Sequence, residues 1–206
     1  RDLQRLIAGV INRQLKCIQL DPYANGFTHG EEWSEWKDDY TDMKPYTHER
    51  KYEIDSLCYP IRLAHHYWTV TGDDSIFTGD NFADWKTSTQ LILQTFKEQQ
   101  RTNATWYYTF MRKTERQLDT VNNNGRGSPI NPVGLIVSFF RPSDDATTFP
   151  FLIPSNIFAV RTLRQLAEIS NNVTKDYDFA KECLQLADQV EEALKKYSIV
   201  DHPKYG

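Results

Sequence analysis

The chain has 206 residues and a mass of 24.1 kDa, enough for one sizeable core. Lys+Arg number 24 against 28 Asp+Glu, a net charge of −4 with a pI near 5.7, so no uniform basic field exists to hold a polyphosphate and nucleic acid is excluded as a partner. No apolar run approaches the roughly 20 residues of a membrane helix, and the charged start at Arg1-Asp2 does not read as a signal peptide.

Five segments carry helical periodicity. Residues 2–18 place Leu3, Leu6, Ile7, Val10 and Ile11 on one face, and 52–70 do so through Ile54, Leu57, Cys58, Ile61 and Trp68, with Pro60 expected to kink the helix. In 80–100 the stripe is Phe82, Trp85, Thr89, Ile92 and Phe96, with Asp80 as the expected N-cap. Residues 156–170 follow the start signal Pro154-Ser155-Asn156. In 177–197 Ala180, Cys183, Ala187, Val190, Leu194 and Tyr197 share a face, behind Asp176 as cap and with Lys195-Lys196 at the negative helix end. The apolar stretch Val133 to Phe140 fits a helix or a buried strand.

The connections at 19–51, 101–132 and 141–154 far exceed the usual link between packed helices. Tyr23, Phe27, Trp33, Trp36, Tyr40 and Tyr46 in the first, and Phe149, Phe151 and Leu152 in the last, argue against disorder, so these are expected to be ordered loops bearing a site. Aromatic residues make up 13% of the chain; such rings stack on sugar C–H surfaces, although they equally fill cores. Arg1 opens directly into a helical pattern and Tyr197 to Gly206 trails off without an apolar partner, so both ends read as cuts through a larger array of helical hairpins.

The odd, scattered Cys17, Cys58 and Cys183 read as small buried hydrophobes. Sequons at Asn103 and Asn172 permit a secretory or extracellular location without excluding a cytoplasmic one. No metal is expected: His65 and His66 diverge on a helix, and Asp38, Asp39 and Asp42 lack the glycine and distal glutamate of a calcium loop. Gly125-Arg-Gly-Ser-Pro129 lacks the Lys-Ser/Thr of a phosphate loop and reads as a turn.

Three stretches carry chemistry. Arg141-Pro-Ser-Asp-Asp-Ala-Thr147 sets two adjacent carboxylates beside a cation on a turn stiffened by Pro142, a source of proton-transfer groups and also a common turn or cap. In Thr47-His-Glu-Arg-Lys-Tyr-Glu-Ile-Asp-Ser56, Glu49 and Glu53 would share a face if the helix begins early, while Asp55 and Ser56 would point elsewhere; such a cluster can hold sugar hydroxyls or simply be a solvated helix start. Asp21-Pro-Tyr-Ala-Asn-Gly-Phe27 offers the Tyr23 hydroxyl and the Asn25 amide on a rigid turn.

Asp21-Pro-Tyr-Ala-Asn25, Glu49-Arg-Lys-Tyr-Glu-Ile-Asp-Ser-Leu-Cys-Tyr-Pro60, and Arg141-Pro-Ser-Asp-Asp-Ala146 with Leu152-Ile-Pro-Ser-Asn156 occur in that order, and the chain resembles glycoside hydrolase family 125 across its whole length. The resemblance implies an all-α (α/α)6 toroid, about half of it present in residues 1–206, and removal of terminal α-1,6-linked mannose from glycans with inversion and without metal or other cofactor. It places the general acid at Asp144 or Asp145, with Asp145 favoured; the polar blocks themselves make Glu49, Arg50, Glu53, Asp55, Tyr23 and Asn25 the expected substrate-binding residues, with Arg141, also among them, and Asp144 shaping the field of the acid. The glutamate general base in a Met-His-Glu-Ser-type block and the sugar-binding Trp-Leu-Arg-Asp-type block are absent from this sequence. An inverting hydrolysis needs both carboxyl groups, so the alternative is a non-catalytic helical carbohydrate-binding or scaffold protein.

Overall fold

The computed structural model describes residues 2–30 and 34–206; Arg1 and Trp33 lie outside the described residues. Five long helices carry the fold: α1 (Asp2–Leu20), α2 (Ile54–Thr71), α3 (Phe82–Gln99), α5 (Ile153–Ile169) and α6 (Tyr177–Tyr197). The short α4 (Asn122–Gly125) is a single turn in which Asn123 and Asn124 have left-handed backbone angles. One two-stranded antiparallel sheet pairs β1 (Gly26–Phe27) with β2 (Thr47–Glu49), in register Gly26 to Glu49 and Phe27 to Thr47, with a bulge between them.

Side-chain pairs fix how the helices lie. Tyr59 meets Phe158, Cys58 meets Thr162 and His65 meets both Gln165 and Glu168, so the contacts advance together and α2 runs parallel to α5. Arg164 pairs with Asp188 and Glu191 on α6, which returns antiparallel to α5 after a π-helical turn at Ser170–Thr174 and left-handed Lys175. Asp176 caps α6 by accepting from the Phe179 N–H at 3.2 Å, as the sequence predicts. Asp80 does not cap α3: it sits in a 3-10 turn, Gly79–Asn81, one residue too early, and Asn81 takes the cap position without a side-chain bond. Helix α2 continues unbroken through Pro60 and ends at Gly72, whose φ of 71° suits a residue without Cβ.

On α1 the face through Ile11, Leu15 and Ile18 is buried against α2 and α3, whereas Leu3 and Leu6 are 68% and 64% exposed. The periodic stripe is therefore buried only toward its C-terminal end.

The stretch Val133 to Phe140 is neither helix nor ladder strand. Residues 135–140 are buried and form no ladder beyond an isolated bridge from Phe140 to Ala146, and several of their backbone groups are satisfied one at a time by different elements. Ile136 N–H donates to Asn156 Oδ1 at 2.8 Å, and Asn156 Nδ2 returns a bond to Ile136 O at 2.9 Å. Val137 N–H reaches Gln99 O at the end of α3, Ser138 N–H reaches Pro150 O, and Phe140 N–H reaches Tyr52 O. Ser138 Oγ accepts the otherwise unpartnered Ile54 N–H that opens α2. A side-chain amide on α5 thus does what a neighbouring strand would do, which hydrophobic periodicity cannot reveal.

Replacing Asn156 by Leu keeps the branched shape but leaves the buried Ile136 N–H and C=O without these partners. The expected cost is about 1–3 kcal/mol for each orphaned group, read as a fall in the denaturant midpoint, against about 0.5 kcal/mol or less for Asn172→Ala on the surface.

Candidate active site

Four chain segments converge: the turn after α1 (21–25), the entry to α2 (49–56), the C-terminal end of α3 and the 140–146 turn that leaves the buried segment. In that last turn Asp144 N–H donates to Arg141 O and Arg141 N–H donates to Asp145 O, with Pro142 inside the loop. Asp144 is left-handed, at φ 60°, a conformation that Asp tolerates better than most residues.

The two adjacent aspartates have different surroundings. Asp145 is ion-paired on both oxygens: Arg116 donates to Oδ1 at 2.6 Å, and Arg141 and Ser143 donate to Oδ2 at 3.0 Å each. Asp144 is exposed and turned the other way, with Oδ1 accepting from Asn25 Nδ2 at 3.0 Å. The same Asn25 amide nitrogen donates to Glu49 Oε2 at 3.0 Å, and Asn25 Oδ1 accepts from Lys51 N–H, so the side chain is fixed on three sides. Lys51 Nζ holds the Asp144 carbonyl at 3.0 Å and Asp119 at 2.6 Å.

Behind Glu49 stands a buried cation. Arg112 clasps both oxygens of Asp39 at 2.8 and 2.6 Å, Glu49 at 2.9 Å and Asp119 at 3.2 Å, with its guanidinium 3.6 Å from the centre of the Trp36 ring. Burial opposes the charge on Arg112, but its hydrogen bonds to Asp39 and Glu49 outweigh burial and raise its pKa. Burial likewise favours neutral Asp119, yet Lys51 and Arg112 hold its carboxyl below the usual range.

Glu53 and Asp55 are each only 6% exposed, and among the described residues neither has an ion-pair partner. Glu53 sits at the N-cap of α2 without capping a backbone N–H; its Oε2 accepts from Ser56 at 2.9 Å and its Oε1 is buried without a partner. Asp55 Oδ1 is equally unpartnered. Burial first, and then Asp55, Asp144 and Glu49, push Glu53 up to about 8 against the Ser56 bond; burial and Asp144 raise Asp55 as well. A cleft of about 270 Å³ borders this cluster at Asn25 and Ser56 and continues along Gln14, Ile18, Phe27, Tyr59 and Pro60.

The structure thus brings Asn25, Glu49, Glu53, Asp55 and Asp144 together and sets Arg141 beside them on Asp145. Glu49 and Glu53 share no helix face, because α2 begins only at Ile54 and Glu49 lies in β2, and Ser56 turns back to Glu53 instead of pointing elsewhere. Two of the expected sugar contacts lie one layer beneath. Arg50 is 3% exposed, paired with Asp21 at 2.6 Å and held between the rings of Tyr23 and Tyr108, because a buried guanidinium needs a buried carboxylate. Tyr23 is 6% exposed, with its hydroxyl donating to Glu98 and accepting from Gln99. Sequence reasoning missed Lys51, Arg112, Asp119 and Arg116, whose partners lie up to 93 residues away; only the charge alternation in 47–56 hinted that such partners were required.

Packed helices with a parallel pair, α2 and α5, and carboxylate-bearing loops beside a cleft are what part of a helical-toroid hydrolase presents. The family described as metal-independent alpha-mannosidase (GH125) matches residues 1–206, and the chain belongs to it. It is 33% identical to the meiotically up-regulated gene 157 protein of Schizosaccharomyces pombe, over 99% of this chain and 42% of that protein. A Streptococcus pneumoniae structure, described in a study of metal-independent alpha mannosidases as a non-productive complex with α-1,6-mannobiose, superposes with a TM-score of 0.91 at 36% identity. That match covers 98% of this chain and 47% of the other. The fold is about half of an (α/α)6 toroid, and the chain spans about half the length of these relatives.

Glu53 carries a linkage signature. Its folded value, about 8, lies above the ordinary 4.5, so the unfolded chain loses this proton first as pH rises. Its contribution is neutral below about pH 4 and increasingly destabilising through pH 8. Glu53→Gln should therefore stabilise the fold at pH 8 by on the order of 2–4 kcal/mol and by clearly less at pH 5, measured by denaturant unfolding at both values.

Proposed function

We propose that this chain contributes the acid half of an inverting exo-α-1,6-mannosidase, with Asp144 as the proton donor, acting on mannose-containing glycans. Family membership and the likeness to a protein held with α-1,6-mannobiose support the substrate class. The observation that carries the donor assignment is the contrast within the aspartate pair: Asp145 is taken up by two guanidinium groups, whereas Asp144 faces the carboxylates.

A general acid must hold its proton near neutral pH and present it without rearrangement. Asn25 donates to Asp144 Oδ1, so that the carboxyl is oriented. In the proposed reaction that proton passes to the glycosidic oxygen, and the C–O bond breaks with its electron pair on the departing oxygen. Water adds from the opposite face after losing a proton to a base roughly 6.5–9.5 Å from the acid. The base lies outside these 206 residues. Glu53 and Asp55 each leave a buried oxygen without a protein partner, and the cleft bordered by Asn25 and Ser56 beside them would take the sugar ring.

In the complete polypeptide, Asp144→Asn should lower turnover on α-1,6-mannobiose by about 10²–10⁴-fold and much less on a mannoside with an activated aryl leaving group. Asp145→Asn should cost less on the disaccharide, and the first product seen by NMR should be β-mannose. The reverse order of the two variants would move the donor to Asp145; binding of mannobiose by the unaltered protein without turnover would favour a carbohydrate-binding scaffold.

A further inference from the structure

Among the described residues every arginine withdrawn from solvent meets a carboxylate, with one exception. Arg50, Arg112, Arg141 and Arg164 are paired, whereas Arg101, also partly buried, is not. Its guanidinium lies 4.6 Å from the centre of the Phe139 ring and 4.5 Å from that of the Trp106 ring, and its Nη1 donates to Arg126 O at 3.4 Å. The Arg126 guanidinium stands over the same indole at 5.2 Å, equally without an ion pair among the described residues. Cation–π contacts hold the two charges in place but do not neutralise them, so they repel each other across one half-exposed ring. Burial pushes Arg101 down to about 10 against the opposing influence of Tyr52 and Tyr23, and it stays charged at neutral pH.

The loop that presents Arg126 is held rigidly. Gly125, at φ 79°, packs so closely on Phe110 that an added Cβ would lie 2.9 Å from the Phe110 carbonyl oxygen. Phe110 N–H donates to Gly125 O, Gly127 N–H to Asn122 O and Ser128 Oγ to Thr148 O. The Gly125-Arg-Gly-Ser-Pro129 block, which the catalytic reading leaves unused, is therefore a fixed platform. Beside it opens a cleft of about 280 Å³ whose walls include Arg101, Asn103, Thr105, Trp106 and Asn123, with Arg126 held against the Trp106 wall. It shares no lining residue with the cleft at Asn25 and Ser56.

We propose that this cleft is a second binding site, in which Arg101 and Arg126 hold a phosphate monoester group away from the carboxylate cluster. Phosphate suits it better than a carboxylate, because a charge of about −1.5 to −2 balances two guanidinium groups and three oxygens can accept from both forks at once. The amide and hydroxyl side chains of Asn103, Thr105 and Asn123 line the remaining volume, which suits a phosphate carried on a saccharide. Only the saccharide rests on the reading of this protein as acting on mannose glycans; the anion site does not.

The test is calorimetric binding of mannose 6-phosphate, mannose and inorganic phosphate to the complete polypeptide and to its Arg101→Gln and Arg126→Gln variants. Mannose 6-phosphate should bind at least about tenfold more tightly than mannose, and more weakly as salt rises. Each variant should weaken that binding by about tenfold or more, the loss of one charge-assisted contact, while Arg126→Gln leaves the denaturant midpoint and the turnover of α-1,6-mannobiose unchanged. Tighter binding of mannose 6-phosphate than of inorganic phosphate assigns the group to a saccharide; equal binding of the two, lost in the same variants, assigns free phosphate. Absence of phosphate-dependent binding at low salt, or binding that Arg126→Gln leaves intact, overturns the inference. Arg126→Gln decides even where Arg101→Gln, which loses its packing on Phe139, fails to fold. A protein that turns over no mannoside yet binds phosphate through these arginines fails the glycosidase reading and keeps this one.

Discussion

A buried, irregular segment outside any sheet ladder holds the site together. Residues 135–140 carry polar backbone into the core, where each unsatisfied group would cost about 1–3 kcal/mol. The core meets that demand with Asn156 on α5, Gln99 O at the end of α3, Tyr52 O at the entry to α2 and Pro150 O in the following loop. One hydrogen-bonded peg thereby joins three helices, and the chain that leaves it is the turn bearing Asp144 and Asp145. Helix packing and the placement of those carboxylates are consequences of the same bonds.

Charge is sorted across this frame. Cations gather on one side: Arg112 and Lys51 neutralise Asp39, Glu49 and Asp119, while Arg116 and Arg141 neutralise Asp145. Among the described residues Asp144 accepts from Asn25 and Glu53 from Ser56, and neither they nor Asp55 form an ion pair. A buried carboxylate without a cation is unfavourable in a folding sense, and Glu53 and Asp55 leave buried oxygens with no protein partner at all. Such an arrangement makes physical sense where hydroxyl-bearing substrate completes the bonding and where a proton must be retained close to neutral pH.

Much of this was legible in the sequence. The helices announced themselves because each buries one stripe, and Asp176 worked as a cap because it stands directly before its helix. Asn25, Glu53, Asp55 and the aspartate pair could be picked out because short polar blocks sat between apolar flanks, and the ordered blocks carried the family resemblance. What could not be read depends on distant partners. Nothing local distinguishes Asp144 from Asp145; their difference is made by Arg116, 29 residues away from Asp145, and by Asn25, 119 residues away from Asp144. Arg50 and Tyr23 have the composition of sugar contacts, and only their pairing with Asp21, Glu98 and Gln99 shows that they support the layer above. Residues 133–140 defeated the reading because a single side-chain amide replaced a neighbouring strand.

The most direct measurement is a crystal structure of the complete polypeptide, inactivated at its base, with α-1,6-mannobiose bound in a productive pose. The account places the glycosidic oxygen about 3 Å from the free oxygen of Asp144, with hydroxyls of the terminal mannose on Glu53 and Asp55. A glycosidic oxygen seated on Asp145, or a disaccharide bound away from all three carboxyls, would contradict it.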